Sequence, residues 1–103
     1  MDKGIDKILK EFVLKANEFI SSDEIYLFGS YAKGTQKPDS DIDIAIIMNN
    51  FTGDYLDNSA QLFSIVSKID YRIEPVLLIK SYDKPGFIDH IKSYGKRLYP
   101  IED

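Results

Sequence analysis

Ile5, Ile8, Leu9, Phe12, Val13, Ala16, Phe19 and Ile20 recur at steps of three and four, with lysines and acids filling the positions between. That is the period of one helical face, and it predicts an amphipathic helix over residues 4–21. The polar stretch "SSDE" at 21–24 ends it. "EIYLF" at 24–28 is a short apolar run stopped by Gly29, so it reads as a strand. "SYAKG" suits one helical turn, with Ser30 near its start and Gly34 as its stop. "TQKPDS" is loop. "DIDIAIIM" at 41–48 is isoleucine-rich and opens with strict alternation, which predicts a strand, and "NNFTGD" breaks it. Leu56, Ala60, Leu62, Phe63, Ile65, Val66 and Ile69 predict a second long helix over 55–69. "YRIEPVLLIK" at 71–80 is a third strand, and Pro75, which has no N–H to donate, puts it at a sheet edge or on a bulge. "DKPG" introduces a last short helix with Phe87, Ile88, Ile91 and Tyr94, stopped near Gly95.

The expected order is helix, strand, short helix, strand, helix, strand, helix. This is a two-layer α/β (α+β) arrangement: a small mixed sheet of about three strands with helices packed on one face and the other face partly open. No repeat, low-complexity tract or linker interrupts it, and 103 residues suit one domain over 1–103. A net charge of −4 argues against an extended nucleic-acid surface, because such domains are usually basic. The chain has no cysteine, which removes disulfides, thiolate chemistry and zinc–thiolate sites. Its start, "MDKGIDKILKEF", is too charged for a signal peptide, and no apolar run approaches membrane-spanning length. A cytoplasmic protein without a membrane partner is expected.

One stretch resists a purely structural reading. Alternation puts Asp41 and Asp43 on one face of a strand whose other face carries Ile42, Ile44 and Ile46. Their Cα atoms would lie about 6.6 Å apart. An Asp-x-Asp at a strand start is most often just solvated, but two carboxylates this close resist joint ionisation unless a cation sits between them. Hard divalent cations, Mg²⁺ above all, seek such oxygen pairs. Two familiar loops do not fit. Gly29 and Gly34 have the glycine spacing of a phosphate loop, but Thr35 stands where its lysine belongs. Asp39, Asp41 and Asp43 imitate a calcium loop, but Ile44 stands where a glycine is needed. The spacing of a dinucleotide-binding glycine fingerprint is also absent. What remains is a small turn, in which Gly29 permits close approach and Ser30 offers a hydroxyl and an N–H at a helix start, where phosphate binds well.

"GSYAKGTQKPDSDIDIAI" resembles the signature of the nucleotidyltransferase fold shared with DNA polymerase beta. Gly29-Ser30 is followed by ten residues and then Asp41-Ile42-Asp43. Ala32 and Gly34 match the longer form G-S-x-A-x-G, and Lys33 stands where an arginine or lysine is usual. The motif covers about a fifth of the chain; the element order extends the similarity over nearly all of it, and the length resembles that of the minimal nucleotidyltransferases paired with HEPN-domain toxins. The resemblance implies the nucleotidyltransferase fold, ATP as substrate and two Mg²⁺ ions. Asp41 and Asp43 would be catalytic metal ligands, and Gly29 and Ser30 would hold the β and γ phosphates. Lys33 is weighed equally as a triphosphate contact and as a solvated lysine. A third carboxylate is expected on the next strand. Glu74 is preferred, because a charge inside "RIEPVLL" is costly without a partner, against the competing reading of an exposed residue on an edge strand; Asp70, read otherwise as a turn residue at the end of the second long helix, is the other candidate. Arg72, two residues before Glu74 and on the same face, is read as a solvated side chain rather than a triphosphate contact; His90, the only histidine, is read as partly exposed and structural. The tyrosines show no stacking pattern for nucleic acid.

The resemblance thus implies a Mg²⁺-dependent nucleotidyltransferase that moves AMP from ATP to an acceptor hydroxyl, a tyrosine of a HEPN toxin, making the chain an antitoxin. Two other functions fit the same chain. One is a stoichiometric antitoxin without catalysis, which would have no reason to keep the whole acidic set. The other is a small-molecule transferase of the aminoglycoside type, which usually carries an extra acceptor domain; a homo-oligomer would supply a cleft between subunits.

Overall fold

The protein is described from a computed structural model covering residues 3–49, 55–82 and 86–101. The end of the strand expected at "NNFTGD" lies, after Asn49, outside the described residues, as do Asp83, Lys84 and Pro85 of "DKPG". Helix α1 spans Lys3–Ala16, strand β1 Glu24–Phe28, the one-turn helix α2 Ser30–Lys33 and strand β2 Ile42–Met48. They are followed by helix α3 at Tyr55–Ile69, strand β3 at Ile73–Ile79, a 3₁₀ turn at Lys80–Tyr82, helix α4 at Phe87–Tyr94 and strand β4 at Lys96–Tyr99.

The four strands form one mixed sheet in the order β3-β2-β1-β4. β1 runs antiparallel to both β2 and β4, and β2 runs parallel to β3 with α3 as the crossover between them. Pro75 lies on β3, an edge strand, as its missing N–H requires. The sheet has four strands where about three were expected. The extra one, β4, is only four residues long, and two of these are charged and exposed, so its sequence carries little strand signal. Gly95, read as a helix stop, also lets the chain turn directly from α4 into β4. A Cβ there would sit 2.6 Å from the Ile91 carbonyl oxygen and 2.8 Å from that of Leu27.

α1 is shorter than its apolar pattern. It ends at Ala16, where the next turn tightens: Glu18 N–H donates to the Lys15 carbonyl and Phe19 N–H to that of Ala16, three residues back. Ser22 Oγ then donates to Asn17 Oδ1 at 2.8 Å, and Ile20 remains buried although it is outside the helix.

β2 is the core strand. Ile42, Ile44, Ile46 and Met48 point to one side and pack with Ile5, Leu9, Phe12 and Val13 of α1 and Leu62 and Val66 of α3. Ala45 and Ile47 point to the other side, where α4 covers part of the sheet with Ile88 and Ile91. A strand covered on both faces has no polar side to show, hence the run of isoleucines. Asp43 alone interrupts it.

Phe12 is fully enclosed, at 0% exposure. Phe12→Ala is expected to lower unfolding free energy by about 3–5 kcal/mol, a large share of the roughly 5–15 kcal/mol of a domain. Urea titration followed by circular dichroism checks this; a loss under about 1 kcal/mol would mean that the α1–sheet interface is not the core.

Candidate active site

β1 delivers Gly29 directly into α2, at φ 73° and ψ −153°. Side chains rarely adopt this backbone conformation. Space imposes the same choice, since a Cβ on Gly29 would overlap Oδ2 of Asp43. The turn and the aspartate are therefore packed against each other because the turn has no side chain. In the sheet register Asp43 stands between Phe28 of β1 on one side and Glu74 of β3 on the other, so Phe28, Asp43 and Glu74 form one cross-strand row.

Asp41 lies just before β2 rather than inside it, and is exposed. Asp43 is half-buried in β2. Its carboxyl is pushed above the ordinary aspartate range, first by burial and then by the negative charges of Asp41 and Glu74. Glu74 is on β3 but exposed, so the burial that favoured it in the sequence does not hold. Its claim rests on register: it is the direct neighbour of Asp43. Asp70 is committed elsewhere. It accepts from Arg72 Nη2 at 2.8 Å, Nε at 3.0 Å and the Arg72 backbone N–H at 2.9 Å. These hydrogen bonds hold its carboxyl below the usual range, against the opposing effect of burial. Arg72 also donates from Nη1 to the Tyr31 hydroxyl at 3.3 Å, tying the start of β3 to α2.

Ser30 opens α2 and its carbonyl accepts from Thr35 N–H at 3.0 Å. Because α2 is a single turn, its dipole is small; the N–H groups of the turn are what it can offer an anion. Lys33 is exposed, with its ammonium 4.9 Å from the centroid of the Tyr94 ring. The Tyr94 hydroxyl in turn accepts the Gly29 N–H at 3.0 Å. Tyr94 is the site residue that sequence reasoning missed. Its place in the apolar repeat of α4 marks it as core, and nothing local announces that its hydroxyl reaches Gly29. His90 is exposed, one turn from Tyr94, with ring centroids 5.3 Å apart.

Among the described residues, no three His, Cys, Asp or Glu side chains are gathered as a ready metal site. The chemistry of the acidic set nevertheless fits a hard cation. Asp43 feels both Asp41 and Glu74, and Arg72 and Lys33 are engaged by Asp70 and Tyr94.

A glycine turn in contact with Asp43, with Glu74 level with it on the adjoining strand of a mixed sheet, is the arrangement of a nucleotidyl-transferring protein. Residues 5–98 match the family model described as "Nucleotidyltransferase domain", and the chain belongs to that family. It is 32% identical to "Putative protein adenylyltransferase MJ0141" of Methanocaldococcus jannaschii, over 88% of this chain and 95% of that protein. A second protein of the same organism, "Putative protein adenylyltransferase MJ1305", is 31% identical over 97% of this chain and 89% of its own. In structure the chain is similar to a toxin–antitoxin solved with AMP-PNP, with a TM-score of 0.68 and 27% identity, covering 90% of this chain and 74% of that one.

The raised pKa of Asp43 sets a sign. Folding disfavours its carboxylate, so the cost is absent at pH below the ordinary aspartate value of 3.8 and fully present above the raised value. Asp43→Asn is expected to melt at a higher temperature than the parent at pH 7, with the gap closing as the pH falls toward 3.8. Thermal denaturation across that range checks it; an Asn variant less stable at pH 7 would show that the carboxylate is compensated within the protein.

Proposed function

We propose that this chain is a Mg²⁺-dependent protein adenylyltransferase, transferring AMP from ATP to a tyrosine hydroxyl of a HEPN toxin and so acting as an antitoxin. The observation that carries the reading is the contact of the Gly29 turn with Asp43, in register with Glu74. The names of the relatives support protein adenylylation, and the toxin–antitoxin neighbour with AMP-PNP supports both the nucleotide and a protein partner.

In this reading the N–H groups and hydroxyl of Gly29 and Ser30 bind the β and γ phosphates, with Lys33 beside them. Asp41 and Asp43 hold Mg²⁺, with Glu74 completing the carboxylate set. Bound there, the metal supplies charge neutralisation across the phosphates and lowers the barrier to attack. The acceptor oxygen bonds to the α phosphorus in line, the bond from that phosphorus to the β-phosphate bridging oxygen breaks, and pyrophosphate leaves. The acceptor proton passes to a carboxylate of the set; we assign this to Glu74, whose exposure on the edge strand supports that role. We assign the protein, as one domain, to the cytoplasm, a reducing compartment that suits a chain without cysteine.

Protein, Mg²⁺ and α-labelled ATP are incubated with a HEPN-domain toxin, taken from the adjacent reading frame where that frame encodes one. Label should move to a tyrosine of that partner, and Asp43→Ala should reduce transfer by at least about a hundredfold. No transfer, together with an Asp43→Ala chain that still silences the toxin, would replace the enzyme reading with stoichiometric masking.

A further inference from the structure

Two of the groups assigned above to the triphosphate, the Gly29 N–H and the Lys33 ammonium, are both held by one side chain that the reading leaves without a role. The Tyr94 hydroxyl oxygen accepts the Gly29 N–H at 3.0 Å, and the Tyr94 ring lies 4.9 Å below the Lys33 ammonium. Gly29 and Tyr94 are 65 residues apart, so this is a tertiary contact that α4 must be docked to make. α4 is fixed in place by Ile88 and Ile91 beneath it, by the edge-on Phe28–Phe87 pair with centroids 6.1 Å apart, and by Lys92, whose ammonium donates to Glu24 on β1 at 3.0 Å.

We propose that Tyr94 is a placeholder for the triphosphate: its phenol holds the place of a phosphate oxygen on the Gly29 turn, and the incoming nucleotide displaces it there. The inference rests on the assignment of Gly29 and Lys33 to the β and γ phosphates. An anionic phosphate oxygen is the stronger acceptor for an N–H, and a stronger partner for an ammonium than an aromatic face in water. The exchange therefore runs toward the nucleotide. In the free protein the phenol keeps the Gly29 N–H satisfied and Lys33 over the turn. The cost is one hydrogen bond broken on each binding event, and it falls only on ligands that reach the turn.

Calorimetry with Mg²⁺ and three ligands tests this: ATP, inorganic triphosphate and AMP. Tyr94→Phe removes the hydroxyl and keeps the ring. It should bind ATP and triphosphate about two- to tenfold tighter than the parent, the range set by one net hydrogen bond, while AMP binding stays unchanged. A merely structural role would shift all three ligands alike, and that result overturns the proposal. So does weaker ATP binding by Tyr94→Phe, which would make the hydroxyl a direct nucleotide contact. A parent protein that binds neither ATP nor triphosphate overturns the nucleotide reading and this inference with it; a parent that binds both, with Tyr94→Phe unchanged, overturns only the role of Tyr94.

Discussion

Asp43 enters the most enclosed strand of the protein where the facing turn has no side chain. Every other residue of β2 is buried, from Ile42 to Met48. A carboxylate in that row is tolerable because Gly29 leaves room for it, and because it sits near the sheet end, beyond the cover that Ile88 and Ile91 give to Ala45 and Ile47. The fold does not neutralise it. Arg72 is spent on Asp70, Lys33 rests on an aromatic ring, and the charges felt by Asp43 are the two acids Asp41 and Glu74. Negative charge concentrated in this way raises the pKa of the group at its centre. The same concentration of negative charge would favour a hard cation at this end of the strand.

The rest of the architecture serves that placement. α1 and α3 cover one face with a continuous apolar layer, which fixes β2 and, through the parallel register, β3 beside it. This register is what carries Glu74 to Asp43. A slip of one residue would turn Glu74 to the helix-covered side and bring Ile73 or Pro75 level with Asp43. The Asp70–Arg72–Tyr31 chain then links the start of β3 to α2, joining the strand of Glu74 to the helix that follows the Gly29 turn. The other face is braced lightly, by α4 and by Glu24 held between Lys92 at 3.0 Å and Lys80 at 3.7 Å.

The long elements were legible because their burial is periodic. The run of β1 and the isoleucines of β2 each state their own geometry, and α3 follows from Leu62, Ile65, Val66 and Ile69, although Leu56 and Phe63 of its apolar pattern are exposed. So was the motif, whose residues lie close enough in sequence for one turn and one strand to account for them. What could not be read was set by partners distant in sequence. β4 forms because β1 offers it an edge, not because "KRLY" favours a strand. α1 stops at Ala16 because the next turn tightens, although Phe19 and Ile20 continue its apolar spacing. Glu74 looked buried from its apolar neighbours, but an edge strand can turn one residue to water without disturbing those beside it. Tyr94 looked like core, because spacing shows which face a residue is on and not what its hydroxyl reaches.

Sequence distance also orders how the site is assembled. Gly29 and Asp43 meet through the antiparallel pair β1–β2, a local closure. Glu74 joins only when the α3 crossover has laid β3 against β2, and Tyr94 only when α4 has docked across β1. Contacts of longer span cost more chain entropy to close. The half of the site carried by the motif therefore forms more cheaply than the half that completes it. The local signature can persist in a chain while the completing half is lost, so the Gly-Ser and Asp-x-Asp spacing alone is a weaker sign of a working site than that spacing together with an acid in register on β3.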